Sequence, residues 1–100
     1  MAFTQSIEVH AGDEEALRHH VAGWHKEQVG VAPGYRGARV LADRSQPGTY
    51  LIEVEFSSEA EAARNDDRTE TAKWAERLRG IVGDDPSYRD FRVLCSTEEV

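Results

Sequence analysis

The sequence predicts an α+β fold, one antiparallel four-stranded sheet with helices on a single face, and three observations lead there. Two stretches, Phe3 to His10 and Thr49 to Phe56, alternate apolar and polar residues at the period of a half-buried strand. Two others, after Asp13 and after Asp67, repeat apolar residues at the helical period. In chain order the elements read strand, helix, strand, strand, helix pair, strand, which is the split βαβ or ferredoxin-like arrangement. Right-handed crossovers then place the first and third strands in the middle of the sheet.

The first strand sets Phe3, Ile7 and Val9 on one face and Thr4, Ser6, Glu8 and His10 on the other. Gln5 is a polar residue on the apolar face, either a bonded core amide or a group lining a cavity. Asp13 is placed to cap a helix whose first turn carries Glu14 and Glu15, and which runs to about Gln28. Leu17, Val21, Trp24 and Gln28 share its inner stripe, with His20 and His25 at the two edges and His19 opposite. No two of these histidines stand four residues apart and no cysteine joins them, so a metal site is not expected.

After the loop Gly30 to Gly34, Tyr35 to Ala42 alternates less cleanly and reads as an edge strand. Asp43 to Gly48 is a turn leading into Thr49 to Phe56, where Tyr50, Ile52, Val54 and Phe56 share the inner face. Ser57 or Ser58 caps a short helix with Glu61 in its first turn, and Asn65-Asp66 breaks it. Asp67 and Glu70 stand at capping-box spacing, which starts a second helix near Asp67 whose stripe is Trp74, Leu78 and Ile81. Tyr88 to Cys95 reads as the last strand, with Cys95 a small buried hydrophobe, and the acidic tail Ser96 to Val100 is expected to fray. The core should pair Phe3, Ile7, Val9, Tyr50, Ile52, Val54 and Phe56 with Leu17, Val21, Trp24, Trp74 and Leu78. Glu8, Leu51, Glu53 and Glu55, with arginines from the neighbouring strands, should make the other sheet face ion-rich.

A chain of 100 residues supports one core, so residues 1–100 are read as a single domain. The net charge of −7, with basic residues scattered among acids, argues against nucleic acid as a partner. A single cysteine, no signal-like start and no bilayer-length apolar run lead to the expectation of a cytoplasmic protein that does not enter a membrane.

The stretch from Arg64 to Leu78 concentrates the candidate chemistry: Asn65 and Arg68 stand just ahead of the helix that carries Trp74. Trp74 is either a core residue or a ligand wall, and Arg68 either a solvated cation or a charge for a ligand. His20 is either a boundary histidine bonded to backbone or water, or an acid-base group.

Over nearly its whole length the chain resembles the antibiotic biosynthesis monooxygenase-like family of the dimeric α/β-barrel superfamily. The resemblance is carried by FTQSIEVHAG, APGYRGARVLADRSQPGTYLIEVEF, SSEAEAARN and TAKWAERL, and by Asn65, Asp67 and Arg68 ahead of Trp74. It implies a homodimer whose sheets pack face to face, with a small-molecule cavity between sheet and helices. It also implies oxidation of a phenolic, aromatic or polyketide-like compound by molecular oxygen with no metal, flavin or other cofactor. In that reading Asn65, Arg68, Trp74 and His20 supply donors, charge, a stacking wall and a proton acceptor, and Gln5, Trp24 and Tyr50 contact the substrate. Haem-degrading members are similar at Trp74 but carry an Asn on the first strand, where this chain has Gln5 and Ser6. They also carry an axial His after the tryptophan, where Leu78 to Gly83 holds none. Because fold does not fix function, a non-catalytic dimeric binding or structural module stands beside the enzyme reading. A cavity lined by His20, Tyr50, Asn65 and Trp74 would favour the enzyme.

Overall fold

In the computed structural model, which describes residues 1–99, the elements follow the expected order. They are β1 (Phe3–His10), α1 (Glu14–Gln28), β2 (Tyr35–Ala42), β3 (Thr49–Phe56), α2 (Glu59–Asp66), α3 (Thr69–Ile81) and β4 (Ser87–Arg92). A 3-10 turn, Thr97–Glu99, occupies the tail, and Val100, part of the segment expected to fray, lies outside the described residues. The sheet order is β2-β3-β1-β4 with every pairing antiparallel, so the two best-alternating strands are central and β2 and β4 form the edges. No helix among the described residues is long and apolar enough to cross a membrane.

The register explains the core. Ile7 faces Ile52, Val9 faces Tyr50 and Phe3 faces Phe56 across β1 and β3. These side chains pack with Leu17, Val21 and Trp24 of α1 and Trp74 and Leu78 of α3 in one buried cluster. Fully burying side chains of this kind contributes about 1.5–3 kcal/mol each. The open face carries rows such as Arg39, Glu53, Ser6 and Arg89, with Arg39 Nε 2.7 Å from Glu53 Oε1. A bulge between Tyr35 and Gly37 splits the alternation of β2, so that Tyr35 turns toward the core against Phe56 while Gly37, Arg39 and Leu41 follow the open face. This bulge is why β2 alternates imperfectly in the sequence.

Caps and ends follow local chemistry. Asp13 Oδ1 accepts from the Ala16 N–H at 3.0 Å and Ser58 Oγ accepts from the Glu61 N–H at 3.2 Å, so α1 and α2 begin as expected. The capping box at Asp67 does not form. The short helix runs through Asn65 and Asp66, and the Asp67 N–H closes its last turn on the Arg64 and Asn65 carbonyls. Asp67 is therefore held in helical backbone, and the extended cap position passes to Arg68, which has no side-chain cap bond. Glu70 instead approaches the Arg68 guanidinium at 3.6 Å.

β4 is also shorter than Tyr88 to Cys95. Its partner β1 begins at Phe3, opposite Arg92, and only the Val93 N–H reaches further, to the Ala2 carbonyl at 2.9 Å. Cys95 lies beyond the ladder and is exposed, not buried.

The two cap positions should respond differently to truncation. Ser58→Ala is expected to cost about 1 kcal/mol in urea unfolding, whereas Asp67→Ala should stay within about 0.5 kcal/mol. Equal losses would contradict the cap assignment.

Candidate functional site

The helix-covered face is apolar where helices lie over it and becomes polar toward the β4 edge. The register places Gln5 between Val54 and Asp90, and Ile7 between Ile52 and Tyr88. All six residues of β4 are exposed, so Asp90 and Tyr88 meet solvent at the edge of a sheet whose centre is dry. Above this row, α2 contributes Asn65 and Asp66, and α3 contributes Thr71, Ala72, Trp74 and Ala75. Together with Gln5, Ile7, Val54, Tyr88, Asp90 and Trp24 they enclose a recess of about 320 Å³.

Asn65 is 3% exposed in the last turn of α2, and its Oδ1 accepts from Arg68 Nη1 at 3.3 Å. The same nitrogen donates to Oε1 of Gln28, which is 1% exposed on α1. Arg68 thus joins α1 to the α2–α3 junction and lines neither this recess nor the neighbouring one. With its oxygen occupied, the Asn65 amide has its NH₂ to offer.

Trp74 is 8% exposed and is the partition between two recesses. One side of its environment is the His20 ring, stacked at 4.9 Å and 10°, and Trp24 tilts against it at 5.5 Å. His20 Nε2 donates to the Trp74 carbonyl at 3.0 Å, which requires the proton on Nε2. Burial lowers the His20 pKa below 6.5, and Arg77 adds to this, while the carbonyl bond and Glu27 oppose it. His20 lines the second recess, about 270 Å³, together with Glu27, Glu70, Lys73 and Arg77.

Tyr50 is elsewhere again. It donates from its hydroxyl to Glu14 Oε1 at 3.2 Å and lines a groove of about 700 Å³ between α1 and β2, with Arg18, Lys26 and Val40. Burial raises its pKa, with Glu14 adding to the effect. One cavity lined by His20, Tyr50, Asn65 and Trp74 is therefore not what the chain forms. Gln5, Asn65, Trp24 and Trp74 share a recess, while His20 and Tyr50 face two others.

Two buried polar atoms lack a partner among the described residues, Trp74 Nε1 and Thr71 Oγ1. Both residues stand one turn apart on α3 and both line the recess that holds Asn65. Asp66 has its pKa raised, first by burial and further by the charges of Asp90 and Asp67, with a hydrogen bond to Gln5 opposing. Tyr88 is raised by burial, with Asp66 adding and Arg79 opposing. Sequence reasoning missed Asp66, Thr71, Tyr88 and Asp90. Thr71 was accessible from its three-residue spacing to Trp74, but Asp90 depends on the β1–β4 register.

Solved structures share this fold across almost their full length. SnoaB, a cofactor-independent oxygenase from Streptomyces nogalater, superposes with a TM-score of 0.73 at 14% identity, covering 96% of each chain. A candidate antibiotic biosynthesis monooxygenase from Bordetella bronchiseptica gives 0.76 at 10% identity, over 94% of this chain and 98% of that one. Rv0793 from Mycobacterium tuberculosis gives 0.75 at 8% identity, over 97% and 99%. At these identities the likeness is one of fold. No curated protein matches the sequence. The family model described as antibiotic biosynthesis monooxygenase matches residues 2–77, from β1 through Asn65 and Trp74, and the chain belongs to that family.

Proposed function

We propose that the chain is a cofactor-independent monooxygenase for an aromatic or polyketide-like hydroxy compound, and that the recess between β1, β4 and the α2–α3 pair holds the substrate. The observation that carries this reading is the unpaired indole N–H of Trp74. A buried donor without a partner costs about 1–3 kcal/mol, and a ligand oxygen in the recess would relieve that cost. In this chemistry the substrate first loses a proton. Its anion passes one electron to O₂, and the resulting radical and superoxide join at carbon. The peroxide takes up the proton and loses water, leaving a carbonyl. The chain's part is to exclude water and to hold donors where negative charge develops. The Trp74 indole N–H, the Asn65 NH₂ and the Thr71 hydroxyl serve as those donors, with Trp24 and Gln5 as walls.

Arg68 acts in this reading by fixing Asn65, and His20 by backing the Trp74 ring from the neighbouring recess. Tyr50 belongs to the α1–β2 groove and reaches no substrate held under α3. A dimer in the cytoplasm, closed through the open sheet faces, fits the same reading. Glu53 is already paired with Arg39 and Glu55 lies 3.9 Å from Arg36, so closing that face would bury these two glutamates beside cations. The alternative, a dimeric small-molecule-binding module without chemistry, draws on the stacking of His20, Trp74 and Trp24, which fills much of the interior. Light scattering checks the dimer, and oxygen uptake separates the two readings.

With a dihydroxyanthrone as probe, Trp74→Phe keeps an aromatic ring and removes the N–H, and Asn65→Ala removes the amide. Each should lower the rate of oxygen uptake about 100-fold or more with melting behaviour preserved, by analogy with loss of one oxyanion donor. Rates unchanged in both variants would refute the site. His20 gives a different readout. Its folded pKa lies below its unfolded value, so its stabilising contribution is complete above pH 6.5 and is lost as the pH falls through the lowered value. In His20→Gln the melting temperature should lose that part of its pH dependence while oxygen uptake persists; an acid limb of turnover that vanishes with His20 would reinstate it as the proton acceptor.

A further inference from the structure

We propose that Asp66 is the proton acceptor of this recess, a catalytic base that takes the hydroxyl proton of a substrate entering in its neutral form, with Asp90 and Gln5 as positioning residues. The inference rests on the reading of the recess as the substrate site. Two carboxylates line it, Asp66 from the end of α2 and Asp90 from β4, and no Lys, Arg or His is among the lining residues. A substrate arriving as an anion would meet like charge there, which is costly in a partly dry site. A neutral hydroxyl would meet an acceptor.

An acidic pair alone does not make a site. The independent observation is Trp74, 8% exposed and lining the same recess, whose indole N–H has no partner, with the unpaired Thr71 hydroxyl one turn before it. The residues that carry acceptor and donors thus line one cavity, as an O–H that becomes an O⁻ requires. In the transfer the substrate O–H bond breaks, its electron pair stays on the substrate oxygen, and the proton forms an O–H bond with the Asp66 carboxylate. The net charge of the recess is unchanged. Asp66 becomes neutral as the oxygen becomes negative, so the new anion faces the single remaining charge of Asp90 and can take the Trp74 N–H.

The surroundings of Asp66 suit the role. Burial and the charges of Asp90 and Asp67 hold its carboxyl above the ordinary aspartate value of 3.8, and the Gln5 amide opposes them by bonding the carboxylate. A base with a raised pKa is a better proton acceptor for a weakly acidic hydroxyl. Tyr88 lines the same corner, its pKa raised by burial and by Asp66, with Arg79 opposing. His20 cannot share the work, because it lines the recess on the other side of Trp74.

Two measurements test the proposal, one of them independent of turnover. Binding of a phenanthrol, read by quenching of tryptophan fluorescence, should weaken about tenfold as the pH falls and Asp66 is protonated, in line with loss of a charged hydrogen bond. The dependence should vanish in Asp66→Asn, and for the methyl ether of the same probe, which has no proton to donate. Asp90→Asn removes a like charge and should move the transition to lower pH. Gln5→Leu removes the opposing bond and should move it to higher pH. With the dihydroxyanthrone, Asp66→Asn should lower kcat about 100-fold or more and abolish the acid limb. Folding is not expected to suffer, because a neutral amide relieves the penalty on the charge, and thermal melting confirms it.

A phenanthrol that binds with the same pH dependence in Asp66→Asn overturns the proposal and leaves the site standing. A wild-type protein that consumes no oxygen but shows the Asp66-dependent binding overturns the oxygenase reading and keeps Asp66 as the hydroxyl acceptor. Absence of binding to the wild type overturns both.

Discussion

One guanidinium holds the helical layer together over the site. Arg68 reaches from the α2–α3 junction to Gln28 on α1, to Asn65 at the end of α2 and toward Glu70 in the first turn of α3. The bonds are charge-assisted and partly buried, with the Arg68 side chain 19% exposed. Without them the carbonyl of the buried Gln28 would face a dry interior. Asn65 would lose the bond that fixes its side-chain oxygen. The site therefore depends on a residue that does not line it.

Trp74 is the second constraint, because its ring is wedged between two faces with different chemistry. His20 stacks on it and bonds the carbonyl of the same residue, so ring and backbone are gripped by a single side chain. That double hold leaves the ring little freedom to rotate. A donor fixed in advance would cost no reorganisation when charge develops, the property that the proposed site asks of Trp74.

The strands, the helices and the core were legible in the sequence because each depends on periodicity. Phe3, Ile7, Ile52, Val54, Leu17 and Leu78 declare their faces by spacing alone, and the crossover rule orders the strands. What was not legible depends on competition or on register. Asp67 has the residue type and spacing of a cap, but the preceding helix claims its backbone first, so two local signals overlap and only one can form. The end of β4 is set by where β1 runs out, which nothing near Cys95 encodes. His20 and Asn65 line different recesses that share the two tryptophans, an arrangement no spacing rule contains.

The family match ends at residue 77, so it takes in Asn65 and Trp74 and leaves out Tyr88 and Asp90. Most of the lining of the recess thus falls within the matched residues, while Tyr88 and Asp90 come from β4 beyond them. An edge strand uncovered by helices can carry an aspartate and a tyrosine at inward register without the cost of full burial. Placed beside Gln5 and Ile7 on the first strand, these residues make the margin of an otherwise dry sheet face polar. Membership of the family sets the frame, and because fold does not fix function, what the frame does is left to side chains such as these.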